Sequence, residues 1–227
     1  MGQCIGANAL AAVGSAYTLM VFLISILLGL SMGSGTVFSL QYGAGDLSAL
    51  RRSIYVSLLL IGTVTILLNV AVFLWLDPIL RWLQVPYDIY PLMRNYLWII
   101  FWGIVFTFLY NFYAALLRAV GDSVTPLWFL AVSVVLNIGL DLFLILVLDQ
   151  GIEGAAVATV IAQGTAASGI LLYTYKIRPE LRLHREDMCF DRSSLREITS
   201  FSTLTCVQQS VMNFGILMVQ GLSLIHI

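Results

Sequence analysis

Apolar residues along this chain come in long blocks rather than alternating with polar ones. Six blocks reach the roughly 20 residues that a helix needs to cross a bilayer: Ala16–Tyr42, Ile54–Leu76, Tyr90–Leu117, Thr125–Leu148, Ile152–Tyr175 and Leu195–Leu222. Short connections rich in Gly, Asp, Arg and Pro separate them. The five prolines, Pro78, Pro86, Pro91, Pro126 and Pro179, are all placed at or just outside block ends, where a missing N–H does least harm. The sixth block is interrupted repeatedly by Ser, Thr, Gln and Asn. The one long polar stretch, Lys176–Glu197, reads as a connection between helices or between two bundles. The pattern predicts an all-α, polytopic membrane protein: a bundle of six transmembrane helices.

Composition supports a lipid surround. Of 227 residues, 60% are hydrophobic and 10% charged, against about 25% charged in a soluble domain. A net charge of −1 gives no basic footprint for nucleic acid, and nucleic-acid partners are not expected. Cys4, Cys189 and Cys206 are too scattered for a metal site, and no cleavable leader is visible after Met1.

The basic residues orient the bundle. If the first block runs outward to inward, the inner connections hold Arg51, Arg52, Arg118, Lys176, Arg178, Arg182, Arg185, Arg192 and Arg196, and the outer ones only Arg81 and Arg94. Asp149–Glu153, free of Lys and Arg, then lies outside. Residues 1–16 would also lie outside, so either a helix before Met1 or an unusual N-out start is expected.

Eleven of the 12 acidic residues fall in connections or at block ends; Asp141 is the exception. It stands about 10 Å inside the outer end of its block at 1.5 Å per residue. An ionisable group at that depth is a functional candidate by default. Ser133, Asn137 and Asp141 recur every four residues, a polar stripe on an otherwise apolar helix. A carboxylate flanked by amide and hydroxyl oxygens suits Na⁺ or a proton. The competing reading makes Asp141 hydrogen-bonding glue between helices.

Other patterns favour packing over chemistry. Gly29-Leu-Ser-Met-Gly33 is a GxxxG pattern suited to close helix contact. Met32-Gly-Ser-Gly35 suggests an intramembrane serine protease, but the only histidines, His184 and His226, lie outside the membrane blocks, so no enzyme is expected. Trp75, Trp82, Trp98, Trp102 and Trp128 form first of all an interfacial belt. Trp98 and Trp102, one turn apart, could alternatively face an organic cation.

Several stretches together resemble one family. They are Gly6-Ala-Asn-Ala-Leu-Ala-Ala-Val-Gly14, Gly29-Leu-Ser-Met-Gly33, Gln41-Tyr-Gly-Ala-Gly-Asp46, Leu117-Arg-Ala-Val-Gly-Asp-Ser-Val-Thr-Pro126, Asn137-Ile-Gly-Leu-Asp141 and Gly151-Ile-Glu-Gly-Ala-Ala-Val-Ala-Thr159. In this order they resemble the multidrug and toxic compound extrusion (MATE) family. The resemblance implies one lobe of a twelve-helix exporter of drugs and organic cations, driven by Na⁺ or H⁺ through alternating access. It implies a multi-pass protein of the bacterial cytoplasmic membrane, partnered by the bilayer and by a C-terminal lobe absent here. It divides the chain into an N-lobe at 1–176 (the end of helix one and helices two to six), a cytoplasmic connection at 177–194 and the start of the C-lobe at 195–221 (part of helix seven). Residues 222–227 are expected to be a non-native tail. No cofactor is implied beyond the coupling ion.

By the same resemblance the cation site comprises Asp141, Asn137 and Thr159, with Asn111 a looser candidate. A further carboxylate of the family stands on helix one. Counted from the turn at Asp149–Glu153, Asp141 and Thr159 should lie at nearly equal depth and share one ion or water. The alternatives are a lipid-linked oligosaccharide flippase of the same superfamily, and a channel or non-transporting scaffold.

Overall fold

A computed structural model describes residues 7–82, 90–187 and 189–225, and no strand occurs among them. The α-helices are α1 (Ala7–Gly43), α2 (Leu47–Trp82), α3 (Tyr90–Trp102), α4 (Ile104–Ala119), α5 (Val124–Leu142), α6 (Gly151–Ile177) and α7 (Arg192–Ile225). A π-helical turn, Phe143–Val147, extends α5, and 3-10 turns at Pro179–Leu181 and Arg185–Asp187 punctuate the polar connection. The α1–α2 turn needs glycine at Gly45, where φ is +76°.

Each predicted block is helical, but the boundaries and one continuity differ. Helix α2 runs past Leu76 and includes Pro78. The bond Pro78 cannot donate would have gone to the Leu74 carbonyl, close to the helix end, where its loss is tolerated. Block Tyr90–Leu117 is two helices bent by 43° about Gly103. Four helices are long and apolar enough to cross a membrane among the described residues, or five with the bent pair as one span. The sixth block, Leu195–Leu222, forms part of α7, but α7 is not among these spans, because polar residues dilute it. Pro86 lies outside the described residues, as do 1–6 and 226–227; α7 continues through Ile225, so most of 222–227 is helical.

The main core joins α1, α2, α3, α4 and the start of α6 around Leu27, Phe38, Leu50, Ile61, Leu97, Phe101, Phe112 and Leu116, all almost wholly buried. Leu181, from the polar connection, also buries into it. Helix α7 lies along α1. A Cβ at Gly29 would stand 2.6 Å from the Cys206 Cα, and one at Gly33 would strike the Ser202 backbone. The GxxxG pattern is therefore a helix-packing device. Across this seam Ser202 donates to the Leu30 carbonyl, and Asn213 to the Ser25 hydroxyl.

Polar contacts separate the two ends of the bundle. At one end, Arg51 pairs with Asp187 at 3.4 Å and Arg178 with Asp122 at 3.7 Å. At the other, Arg94 pairs with Asp77 at 2.8 Å and Asn95 donates to Glu153 at 2.9 Å. This puts Arg51–Arg52 and the polar connection on one side, and Asp77 with the Asp149–Glu153 turn on the other, as the charge pattern predicts. Trp98 and Trp102 pack edge-on and tilted against Phe73 at the surface, 48% and 58% exposed.

Candidate functional site

The polar stripe of α5 meets a matching stripe on α6. Ser133 donates from its hydroxyl to the Ala162 carbonyl at 2.9 Å. One turn on, the Asn137 amide donates to Thr159 Oγ1 at 3.3 Å, and Thr159 in turn donates to the Ala155 carbonyl at 3.0 Å. Small residues permit the approach: Ala155, Ala158, Ala162 and Ala166 are all buried on α6. Elsewhere α5 is largely bare, with only Pro126 and Ser133 buried between Val124 and Leu142.

Asp141 ends the stripe. Its Oδ1 is buried and has no hydrogen-bond partner. The antiparallel contacts pair residues four apart on α5 with residues three apart on α6, in reverse order. Continued by a turn, that register puts Asp141 opposite Ala156, about 4.5 Å beyond Thr159 along the helix. Asn137, rather than Asp141, is thus level with Thr159. A symmetric turn would put Asp141 at the level of Thr159; the π-helical turn and the Leu148–Gln150 loop lengthen the α5 side of it. Tyr96 of α3 comes within electrostatic reach of the Asp141 carboxylate.

Asn111 stands away from Asp141, at the Ser133 end of the stripe. Its amide donates to the Thr107 carbonyl at 2.8 Å. With Thr107, Tyr110, Ser133 and Gln163 it lines a cavity of about 300 Å³ between α1, α4, α5 and α6. Gln163, one turn beyond Thr159 on α6, accepts from the Thr107 hydroxyl at 3.0 Å. Sequence reasoning passed over Gln163 and Thr107. The signal was present, because Thr159 and Gln163 repeat at four residues as Ser133, Asn137 and Asp141 do.

The oxygens can serve a hard cation. Thr159 gives its proton to Ala155, so its remaining lone pair is free to coordinate. Asn137 donates through nitrogen, which leaves its carbonyl oxygen, and Asp141 supplies an unsatisfied carboxylate oxygen. One carboxylate with neutral oxygens is a donor set for Na⁺ or for a proton. Among the described residues no three His, Cys, Asp or Glu side chains gather as a transition-metal site would require.

Relatives of known name agree with this architecture. The MatE family model matches residues 1–143. The probable multidrug resistance protein YpnP of Bacillus subtilis is 39% identical over 78% of this chain and 40% of its own length. NorM of Thermotoga maritima, a probable multidrug resistance protein, is 28% identical over 88% of this chain and 44% of its own. An inward-facing multidrug resistance MATE family transporter of the MOP superfamily superposes with a TM-score of 0.86 at 22% identity, covering 91% of this chain and 47% of that one. The chain therefore spans less than half the length of these relatives. With its all-α membrane bundle and the family match over residues 1–143, the chain belongs to the MATE family.

Proposed function

We propose that this chain forms the cation-binding half of an exporter that moves drugs or organic cations out of the cell in exchange for Na⁺ or H⁺. The observation that carries the reading is the buried Asp141 Oδ1, left without a hydrogen bond one turn from the Asn137–Thr159 pair. An orphaned carboxylate oxygen inside a membrane helix is costly as glue and useful as an ion ligand. The names of the relatives, multidrug resistance and multidrug export proteins, supply the class of cargo.

Binding of a cation at Asp141 would neutralise its charge, and release would restore it. A site that alternates between these states can drive alternating access if each charge state favours a different arrangement of the helices. The flippase alternative calls for basic residues in the interior to hold a pyrophosphate. Arg94 is instead engaged by Asp77 at the surface, and Arg118 is exposed at the end of α4.

The test is Asp141→Asn in the full-length protein, reconstituted in vesicles loaded with a fluorescent cationic dye. Expression and folding should persist while dye export driven by an imposed Na⁺ or pH gradient falls to background. Wild-type export from this variant would remove Asp141 from the mechanism. Imposing the two gradients separately identifies the coupling ion.

A further inference from the structure

The α3–α4 span breaks at Gly103, near the middle of its length, and side chains from two other helices converge on the break. The Gly103 amide turns back to the Ile100 carbonyl at 2.8 Å, a tight contact that ends α3. Carbonyls in the last turn of a helix lack intrahelical partners. One of them, Phe101, accepts instead from the Asn69 amide of α2 at 2.8 Å. From the other side, α6 closes on the glycine: a Cβ there would stand 3.0 Å from Gln163 Oε1 and 3.1 Å from Val160 Cγ2.

Thr107, one turn below the break, has one hydroxyl proton and two acceptors in range. They are the Gly103 carbonyl at 3.2 Å and Gln163 Oε1 at 3.0 Å. The first contact holds α4 to its own backbone; the second ties α4 to α6. Gln163 also lines the cavity shared with Asn111 and Ser133. Beyond the break, the outer arm α3 reaches α6 again through Asn95 and Glu153.

We infer that Asn69 and Gln163 are positioning residues that set the bend at Gly103, and with it the place of the outer arm α3 against α5 and α6. Non-helical backbone at membrane depth is tolerated only where protein or a cavity satisfies it; Asn69 does so for the Phe101 carbonyl, and Gln163 braces the break through the Thr107 hydroxyl. The Thr107 hydroxyl proton has two acceptors at the joint, one on its own helix and one on α6. Sequence periodicity cannot reveal such a joint, because the block reads as one uninterrupted apolar span. The link to transport rests on the export reading above; the geometry does not.

The experiment measures electron–electron distances between spin labels at Leu92, on the outer arm, and Leu146, at the outer end of the α5 extension. It uses the full-length protein in lipid nanodiscs with its native cysteines replaced. A 20° change at Gly103 moves a point 11 residues away by about 6 Å. Gln163→Met and Asn69→Leu, which keep bulk and remove the amides, should each shift the mean distance by several ångströms or add a second population. Gln163→Glu, which keeps an acceptor for Thr107, should restore the wild-type distribution. Thr107→Val removes only the hydroxyl and should reproduce the Gln163→Met shift, so it decides the matter if Gln163→Met does not fold.

Unchanged distances in Asn69→Leu and in either α6-side variant would overturn the inference and leave the bend to Gly103 and apolar packing alone. A second reading comes from dye export: the positioning variants should lower the maximal rate several-fold with little change in the half-saturating dye concentration. If Asp141→Asn exports normally, the export reading fails, while the distance measurement still decides the joint.

Discussion

Two helix seams of this molecule use opposite means. Along α1–α7 the helices approach because side chains are missing: Gly29 and Gly33 bring α1 against the backbone at Cys206 and Ser202. Along α5–α6 they are joined by side chains, Ser133 to Ala162 and Asn137 to Thr159, ending at an orphaned carboxylate. The first seam packs backbone against backbone, with the Ser202 hydroxyl bonded to the Leu30 carbonyl, as befits a structural joint. The second ends at an unpaired atom of an ionisable carboxylate, which costs more to leave unmatched than a hydroxyl does. On the proposed function, stability and ion binding are spatially separated, so substitutions in the two seams should affect different measurements.

The widest separation is expected from Asp141→Asn set beside Gly33→Val. Asp141→Asn should remove gradient-driven export while leaving thermal stability in detergent unchanged or slightly raised, since it relieves an unpaired charge. Gly33→Val should do the reverse. It forces α1 from α7 at a cost of about 1–3 kcal/mol by overpacking, which lowers the melting temperature and spares ion dependence in the protein that folds. A large stability loss from Asp141→Asn would make the polar seam structural and end the contrast.

A smaller effect is expected within the polar seam. Thr159→Val keeps shape but removes the acceptor for Asn137, an interaction of about 1 kcal/mol. Export should fall several-fold, and the ion concentration for half-maximal rate should rise. An unchanged ion dependence would exclude Thr159 from the site. Gly43 provides the control for the glycine seam: nothing lies within 4 Å of a Cβ there. Gly43→Ala should change stability by no more than about 0.5 kcal/mol, and a loss as large as that of Gly33→Val would show that the seam is not special.

The smallest effect concerns the polar connection. Partial burial opposes ionisation of Asp122, but bonds from the Thr125 amide and hydroxyl, with Arg178 and Tyr173, outweigh it and hold its carboxyl below the ordinary 3.8. A carboxyl depressed in the fold contributes stability above its unfolded value and loses it as pH falls through the folded value. Wild type should thus exceed Asp122→Asn in melting temperature near neutrality, by the equivalent of about 1 kcal/mol or less for an ion pair as long as 3.7 Å at the bundle's end. The two curves should converge as pH drops below 3.8. A gap that persists in acid would assign the effect to packing.

Much of this protein was determined by its sequence alone. Six apolar blocks, the distribution of Arg and Lys, and one carboxylate within a helix specify a bundle, its two ends and the polar stripe, because the bilayer permits few ways to satisfy backbone and charge. Spacing along one helix also determined that Asn137 and Asp141 share a face. What it could not determine is how one helix stands against the next. The level of Thr159 with Asn137 depends on the π-helical turn, which repeats no pattern of residue types. The break at Gly103 depends on Asn69, Val160 and Gln163 arriving from helices distant in sequence. Periodicity records the environment of each helix averaged along its length; register and bend are set by individual atoms meeting across helices, and only the tertiary structure decides them.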